Sequence, residues 1–146
     1  MESLQINAST PKELAALIEG RSDVEINSVL EQLNLDDVLS RVFEGMTKAF
    51  LPQKAGTQSA VIQWDIKAKN QVSPYQIKVA DGKASFQKGT PDTPRVTLAV
   101  ELPNFLRLIT GKMNGQQAFF TGKLKVSGDM MFAMTQEGWF DKNWGG

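Results

Sequence analysis

The chain has 146 residues, with 16 Lys and Arg balanced by 16 Asp and Glu; this fits one domain, large enough to bury roughly 68–70% of its unfolded surface. It has no cysteine and no histidine, which excludes disulfides, zinc–thiolate sites, Ser-His-Asp and Cys-His catalysis and histidine-based metal chemistry, and leaves only carboxylates for acid–base or magnesium chemistry. Zero net charge lacks the cationic excess of general nucleic-acid binders, no apolar run approaches the ~20 residues of a membrane span, and the start, MESLQINAST, lacks the basic and apolar regions of a secretory signal, so a cytoplasmic protein is expected.

Thr10-Pro11-Lys12-Glu13 forms a capping box with proline at the first helical position. Leu14, Leu17 and Ile18 follow as an apolar stripe and Gly20 can end it, predicting a short helix over 11–19. Asp23 is placed to cap a second helix, with Ile26, Val29, Leu30 and Leu33 on one face and an end near Asn34. Val38, Leu39, Val42, Phe43, Met46, Ala49 and Phe50 recur at helical period and predict a longer helix over 36–50, stopped by Pro52. Asp36 and Asp37 adjoin at its start. Sequence neighbours do not face each other on a helix, so the pair suits the helix N-terminus better than a catalytic role.

From about 59 the period changes to two. Ala60, Ile62, Trp64 and Ile66 alternate with Val61, Gln63, Asp65 and Lys67; Tyr75, Ile77 and Val79 alternate with Gln76, Lys78 and Ala80. Asp81-Gly82 predicts a two-residue hairpin turn, because both residues tolerate positive φ. The return strand spans 83–88 with Ala84 and Phe86 inward. Gly89 to Pro94 is a loop, and Val96, Leu98 and Val100 mark a fourth strand. Each strand has one apolar and one mostly polar face, so one side of the sheet is expected to be solvated.

Pro103 opens a helix over 103–110 with Phe105, Leu106 and Ile109 on one side, and Gly111 ends it. Asn114 caps a short helix through Phe120, ended by Gly122. Lys123 to Ser127 reads as a fifth strand, and Gly128-Asp129 leads into a last helix carrying Met130, Met131 and Met134, with Trp139 and Phe140 beyond. The Gly-Lys pair at 111–112 lacks the spacing of a phosphate-binding loop. Helices followed by strands predict an α+β fold: a five-stranded, largely antiparallel sheet covered on one face by helices.

The stretch from Val96 to Met134 resembles the sterol carrier protein 2 family of lipid-binding domains. The resemblance rests on Val96-Thr97-Leu98, Asn104-Phe105-Leu106, Thr110-Gly111-Lys112-Met113, Ala118-Phe119-Phe120, Gly122-Lys123-Leu124-Lys125-Val126 and Gly128-Asp129, and it covers about 36–136. Gly115 departs from it, standing where many relatives carry a helix-starting proline. The end, Asn143-Trp144-Gly145-Gly146, departs from the Ser-Lys-Leu-type ending of peroxisomal members. A stand-alone, cytoplasmic, bacterial member is therefore expected, with residues 1–35 as an N-terminal helical extension packed on the domain formed by 36–146.

The resemblance implies a hydrophobic tunnel between sheet and helices that binds a fatty acid, fatty acyl-CoA or sterol without chemistry and without a cofactor or metal. The candidate lining is Phe43 on the long helix, Ile62 and Trp64 on the first strand, and Phe105, Leu106 and Ile109 on the helix after the fourth strand. Phe119 and Phe120, Met130, Met131 and Met134, and Trp139 and Phe140 complete it. Each is either lining or core packing; three methionines in five positions favour lining, because unbranched thioethers adapt to varied ligands. Lys112, Lys123 and Lys125 are either head-group or membrane contacts or solvated charges. Burying a methylene is worth about 0.8 kcal/mol, so an acyl chain of about 14 methylenes gains on the order of 11 kcal/mol before ordering costs, without a fixed charged contact. On this reading Phe105→Asp or Met131→Asp abolishes binding with the fold intact. The competing reading is a protein-interaction domain whose cavity its own side chains fill, with residues 1–35 docking a partner or a second copy.

Overall fold

The computed structural model describes residue 16 and residues 18–31, 34–68 and 70–140. In chain order these form α1 (Asp23–Glu31), α2 (Leu35–Lys48), α3 (Pro52–Ala55), β1 (Ala60–Ala68), β2 (Gln71–Ala80), β3 (Lys83–Lys88), β4 (Val96–Glu101), α4 (Leu102–Ile109), α5 (Gly115–Phe120), β5 (Leu124–Gly128) and α6 (Met130–Gln136). A single 3-10 turn, Glu137–Trp139, follows α6. The helix expected over 11–19 falls mostly outside the described residues; within it, Ala16 and Ile18 are helical.

The helix starts follow side-chain chemistry. Ser22 and Glu25 exchange hydrogen bonds: the Ser22 N–H donates to Glu25 Oε1 at 2.8 Å and the Glu25 N–H to Ser22 Oγ at 3.2 Å. This reciprocal capping box, rather than Asp23, opens α1. Asn34, near the expected end of that helix, caps the next helix, its Oδ1 accepting from the Asp37 N–H at 3.2 Å. The apolar stripe of α2 is buried as its period predicts, with Val38, Leu39, Val42, Phe43 and Met46 inside. Pro52 stops α2 and also starts α3, where its missing N–H is no loss.

The strands form a single five-stranded sheet in the order β3-β2-β1-β4-β5. β1 runs parallel to β4, and the other pairs are antiparallel. The Asp81-Gly82 turn has φ of 54° and 73°, the left-handed pair that a two-residue hairpin needs to match strand twist. The α+β architecture and the mostly antiparallel sheet agree with the expectation from sequence.

The inner face of the sheet meets the helices in one core to which every element from α1 to α6 contributes, and Ile18, Ile26 and Leu30 are part of it. The outer face is less solvated than alternation suggests. Gln76 is 3% exposed, because the loop before β4 folds over it: its Nε2 donates to Gln63 Oε1 at 2.9 Å and to the Asp92 carbonyl at 2.8 Å, while the Asp92 N–H donates to Gln76 Oε1 at 3.1 Å. A buried amide is tolerable there because its donors and acceptor are satisfied.

Candidate functional site

The strand register builds the first part of the site. Trp64 at the centre of β1 sits opposite Tyr75 of β2 and Leu98 of β4, flanked by the buried Ile62 and Ile66. α2 lays Phe43 over this row, its ring 4.7 Å from Tyr75, 5.5 Å from Phe105 and 6.1 Å from Phe86, all stacked. Phe105 in turn meets the edge of Trp64 at 5.1 Å. These offset and edge contacts are the favoured aromatic arrangements. Pro103 in the first turn sets the start of α4, whose Phe105, Leu106 and Ile109 are all buried. The structure thus joins six of the nominated residues, Phe43, Ile62, Trp64, Phe105, Leu106 and Ile109, in one apolar layer between sheet and helices. Tyr75 and Phe86 belong to the same layer; alternation placed both inward, but only the register and the position of α2 bring them under Phe43.

Trp139 and Phe140 form a separate cluster. Trp139 is 2% exposed, held edge-on by Phe132 at 5.2 Å and by Phe50 at 6.4 Å. Phe140 tilts against Phe50 at 5.7 Å and pairs with it as an isolated antiparallel bridge. The Leu51 N–H donates to the Trp139 carbonyl at 2.7 Å. These contacts anchor Trp139 and Phe140 to the foot of α2.

Four of the remaining five nominated residues are exposed. Phe120 is 75% exposed and Met131 81% exposed, with Met130 and Met134 also exposed. Phe119 is half-buried beside Phe120, their rings 5.7 Å apart.

Polar groups edge the layer. The buried Tyr75 hydroxyl donates to Asp36 Oδ1 at 3.4 Å, and Asp36 Oδ2 receives Lys88 Nζ at 2.6 Å. Burial pushes the Tyr75 hydroxyl above its ordinary pKa, and the hydrogen bond to Asp36 raises that of Lys88. On α4, Arg107 Nη1 reaches Asp23 Oδ1 at 2.6 Å and Asn104 Oδ1 at 2.9 Å, tying α1 to α4. Lys112, nominated as a head-group contact, pairs with Glu19. Trp64 Nε1 is buried and has no hydrogen-bond partner among the described residues. A cleft of ≈ 450 Å³, foreseen by nothing in the sequence, lies between the start of β1, the end of β2 and Thr93-Pro94-Arg95. Among the described residues no group of three or more carboxylates gathers to hold a metal, and no helix is long and apolar enough to cross a membrane.

A mixed five-stranded sheet backed by helices across an aromatic layer defines a small α+β domain whose central feature is apolar. The chain belongs to the SCP-2 sterol transfer family, whose model matches residues 43–141. Human Sterol carrier protein 2 is 43% identical over 60 residues, 41% of this chain and 11% of the human protein, so the chain spans about a tenth of that relative. Among solved structures, Sterol Carrier Protein 2 from Yarrowia lipolytica in its apo form is similar with a TM-score of 0.61 and 24% identity, covering 78% of this chain and 98% of that one. Palmitated SCP2L2 from Aedes aegypti is similar with a TM-score of 0.56 and 23% identity, covering 73% and 93%. At these identities the structural likeness shows the shared fold.

Proposed function

We propose that this chain is a non-catalytic, cytoplasmic lipid-binding and transfer domain that holds a fatty acid, fatty acyl-CoA or sterol in an apolar tunnel between the sheet and the helices. The observation that carries the reading is the exposed apolar surface of α5 and α6, in a chain of a lipid-transfer family. Phe120, Met130, Met131 and Met134 stay exposed, although a monomer gains by burying such groups; unbranched thioethers suit a variable apolar guest. The palmitated state of the Aedes aegypti relative supports an acyl chain as one guest. In this reading residues 1–35 extend the same domain: Ile18, Ile26 and Leu30 share its core and Asp23 is clamped by Arg107.

The test is a titration with a fluorescent long-chain fatty acid, with acyl-CoA and sterol as competitors, beside mass spectrometry of an organic extract of the purified protein. Saturable binding and a co-purifying lipid are expected. Absence of saturable binding for all three lipid classes sinks the reading. One observation favours the interaction-domain alternative: the Phe43–Tyr75–Phe86–Phe105–Trp64 layer fills space with the protein's own rings. A lipid-free extract together with no titratable binding would favour that alternative.

A further inference from the structure

We propose that the Trp64 indole N–H is the polar anchor for the bound lipid, and that it selects a neutral oxygen-bearing end group: a hydroxyl or carbonyl rather than an ionised carboxylate. This rests on the lipid-binding reading and adds to it a residue and a ligand class.

Trp64 Nε1 is the one buried side-chain nitrogen or oxygen among the described residues that lacks a hydrogen-bond partner. Trp64 itself is 7% exposed. A buried donor without an acceptor is destabilising, and native proteins keep few of them. Those that persist call for a specific reason, and a ligand that supplies the acceptor is one.

The surroundings narrow the ligand. Indole is a donor only, so the partner must accept. The groups around it by register and ring contact are Tyr75, Leu98 and Phe105, with Ile62 and Ile66 two positions away along the same face of β1. The one polar side-chain group of this set, the Tyr75 hydroxyl, donates to Asp36 and accepts no hydrogen bond from the indole. None of these neighbours is a cation, and Lys88, the register partner of Tyr75, is already paired with Asp36. Bringing an ionised carboxylate among them leaves a charge desolvated and unpaired, which costs far more than one hydrogen bond returns. A hydroxyl or carbonyl oxygen carries a small desolvation cost and satisfies the indole.

The test compares 1-tetradecanol, tetradecane and myristate at pH 8, each delivered from cyclodextrin to uniformly 15N-labelled protein. The chain has three tryptophans, so its indole N–H signals are few, and comparison with Trp64→Phe identifies the one from Trp64. Tetradecanol is expected to move the Trp64 indole proton downfield, and tetradecane and myristate to leave it near its starting position. Trp64→Phe is expected to weaken tetradecanol binding roughly tenfold, as loss of one hydrogen bond does, with tetradecane changed less than twofold. If alcohol and alkane both bind but the indole signal moves with neither, or if Trp64→Phe binds the alcohol like the parent, the anchor is wrong and the lipid reading stands. If myristate moves the signal as far as the alcohol does, the neutral selectivity is wrong. If none of the three binds, the anchor falls, and the lipid reading is decided separately by the acyl-CoA and sterol titrations.

Discussion

The Arg95 guanidinium lies 4.2 Å from the centre of the Phe132 ring. Arg95 leads into β4 and Phe132 is the buried anchor of α6, so this contact fixes the last helix against the sheet. Arg95 Nε also donates to Asp129 Oδ2 at 3.2 Å, just before that helix. The ring contact alone is worth about 0.5–1 kcal/mol at a part-exposed site. Arg95→Ala should therefore lower stability by about that amount or slightly more, seen as a lower urea midpoint with an unchanged slope. Arg95→Met, which keeps apolar cover on the ring without the charge, should recover part of the loss.

Gly128 has a φ of 97°, and a Cβ there would lie 2.6 Å from the Arg95 carbonyl oxygen. Both the backbone conformation and the contact forbid a side chain, and the obstacle is main chain in the β4–β5 pair, where Val96 faces Gly128. Gly128→Ala should cost about 1–3 kcal/mol from backbone strain before any shift of β5 is counted. Hydrogen exchange should then show faster opening of 124–128 than of the β1–β2 pair. Unchanged exchange at β5 would contradict the packing described.

Tyr75 and Lys88 share Asp36 as their partner, so the α2–β3 edge should be sensitive to alkali. Both groups have raised pKa values in the folded chain. A raised value means that stability is fully present below the unfolded pKa and is lost as pH rises through the folded one. With ordinary values near 10 for both groups, the loss should begin near pH 10. Tyr75→Phe should cost roughly 0.5–1 kcal/mol at neutral pH, through the lost hydrogen bond, and should flatten the alkaline decline measured by unfolding at a series of pH values.

On the acid side the signs reverse. The Phe132 N–H holds the Asp129 carboxyl below its ordinary range, the Ser22 N–H does the same for Glu25, and the Lys112 ammonium does so for Glu19. A lowered value contributes stability above the unfolded pKa that is lost as pH falls through the folded one. Stability should hold above about pH 5 and decline as pH drops below about 4. Asp129→Asn keeps an acceptor for the Phe132 N–H but removes the charge, so it should shrink this acid decline relative to the parent chain.

Much of the fold can be read from local pattern. The burial of Val38 to Met46 follows their helical spacing, the inward Ile62, Trp64 and Ile66 follow alternation, and the Asp81-Gly82 turn follows from two residues that accept positive φ. The Ser22-to-Glu25 capping box is equally legible, as a serine followed three residues later by a glutamate. What pattern could not convey is pairing. Nothing local says that β1 lies beside β4 as well as β2, and that pairing is what puts Trp64 between Tyr75 and Leu98. Gln76 reads as a solvated polar residue, because the loop that covers it acts from 16 positions away. Periodicity likewise marks Phe105 and Met131 as equally apolar, although one is central and the other peripheral.

That last contrast gives the sharpest mutational test of the lipid reading. Phe105 is 0% exposed and Met131 81% exposed, so Asp at these two positions is not equivalent, contrary to the expectation from sequence. Phe105→Asp places a carboxylate amid Phe43 and Trp64, a penalty of several kcal/mol. Against a total stability of about 5–15 kcal/mol, that variant should be largely unfolded and uninformative about ligand. Met131→Asp lies on the solvent side in the first turn of α6, where a negative charge favours the helix N-terminus, and should change stability by less than about 0.5 kcal/mol. If α6 meets the lipid, burial of the Met131 side chain is worth about 1.5–3 kcal/mol, so Met131→Asp should weaken long-chain binding at least tenfold while its circular dichroism and melting stay those of the parent. Unchanged affinity in a folded Met131→Asp would remove α6 from the site and confine the ligand to the Phe43–Phe105 layer, where Phe105→Leu, smaller but apolar, becomes the variant to titrate.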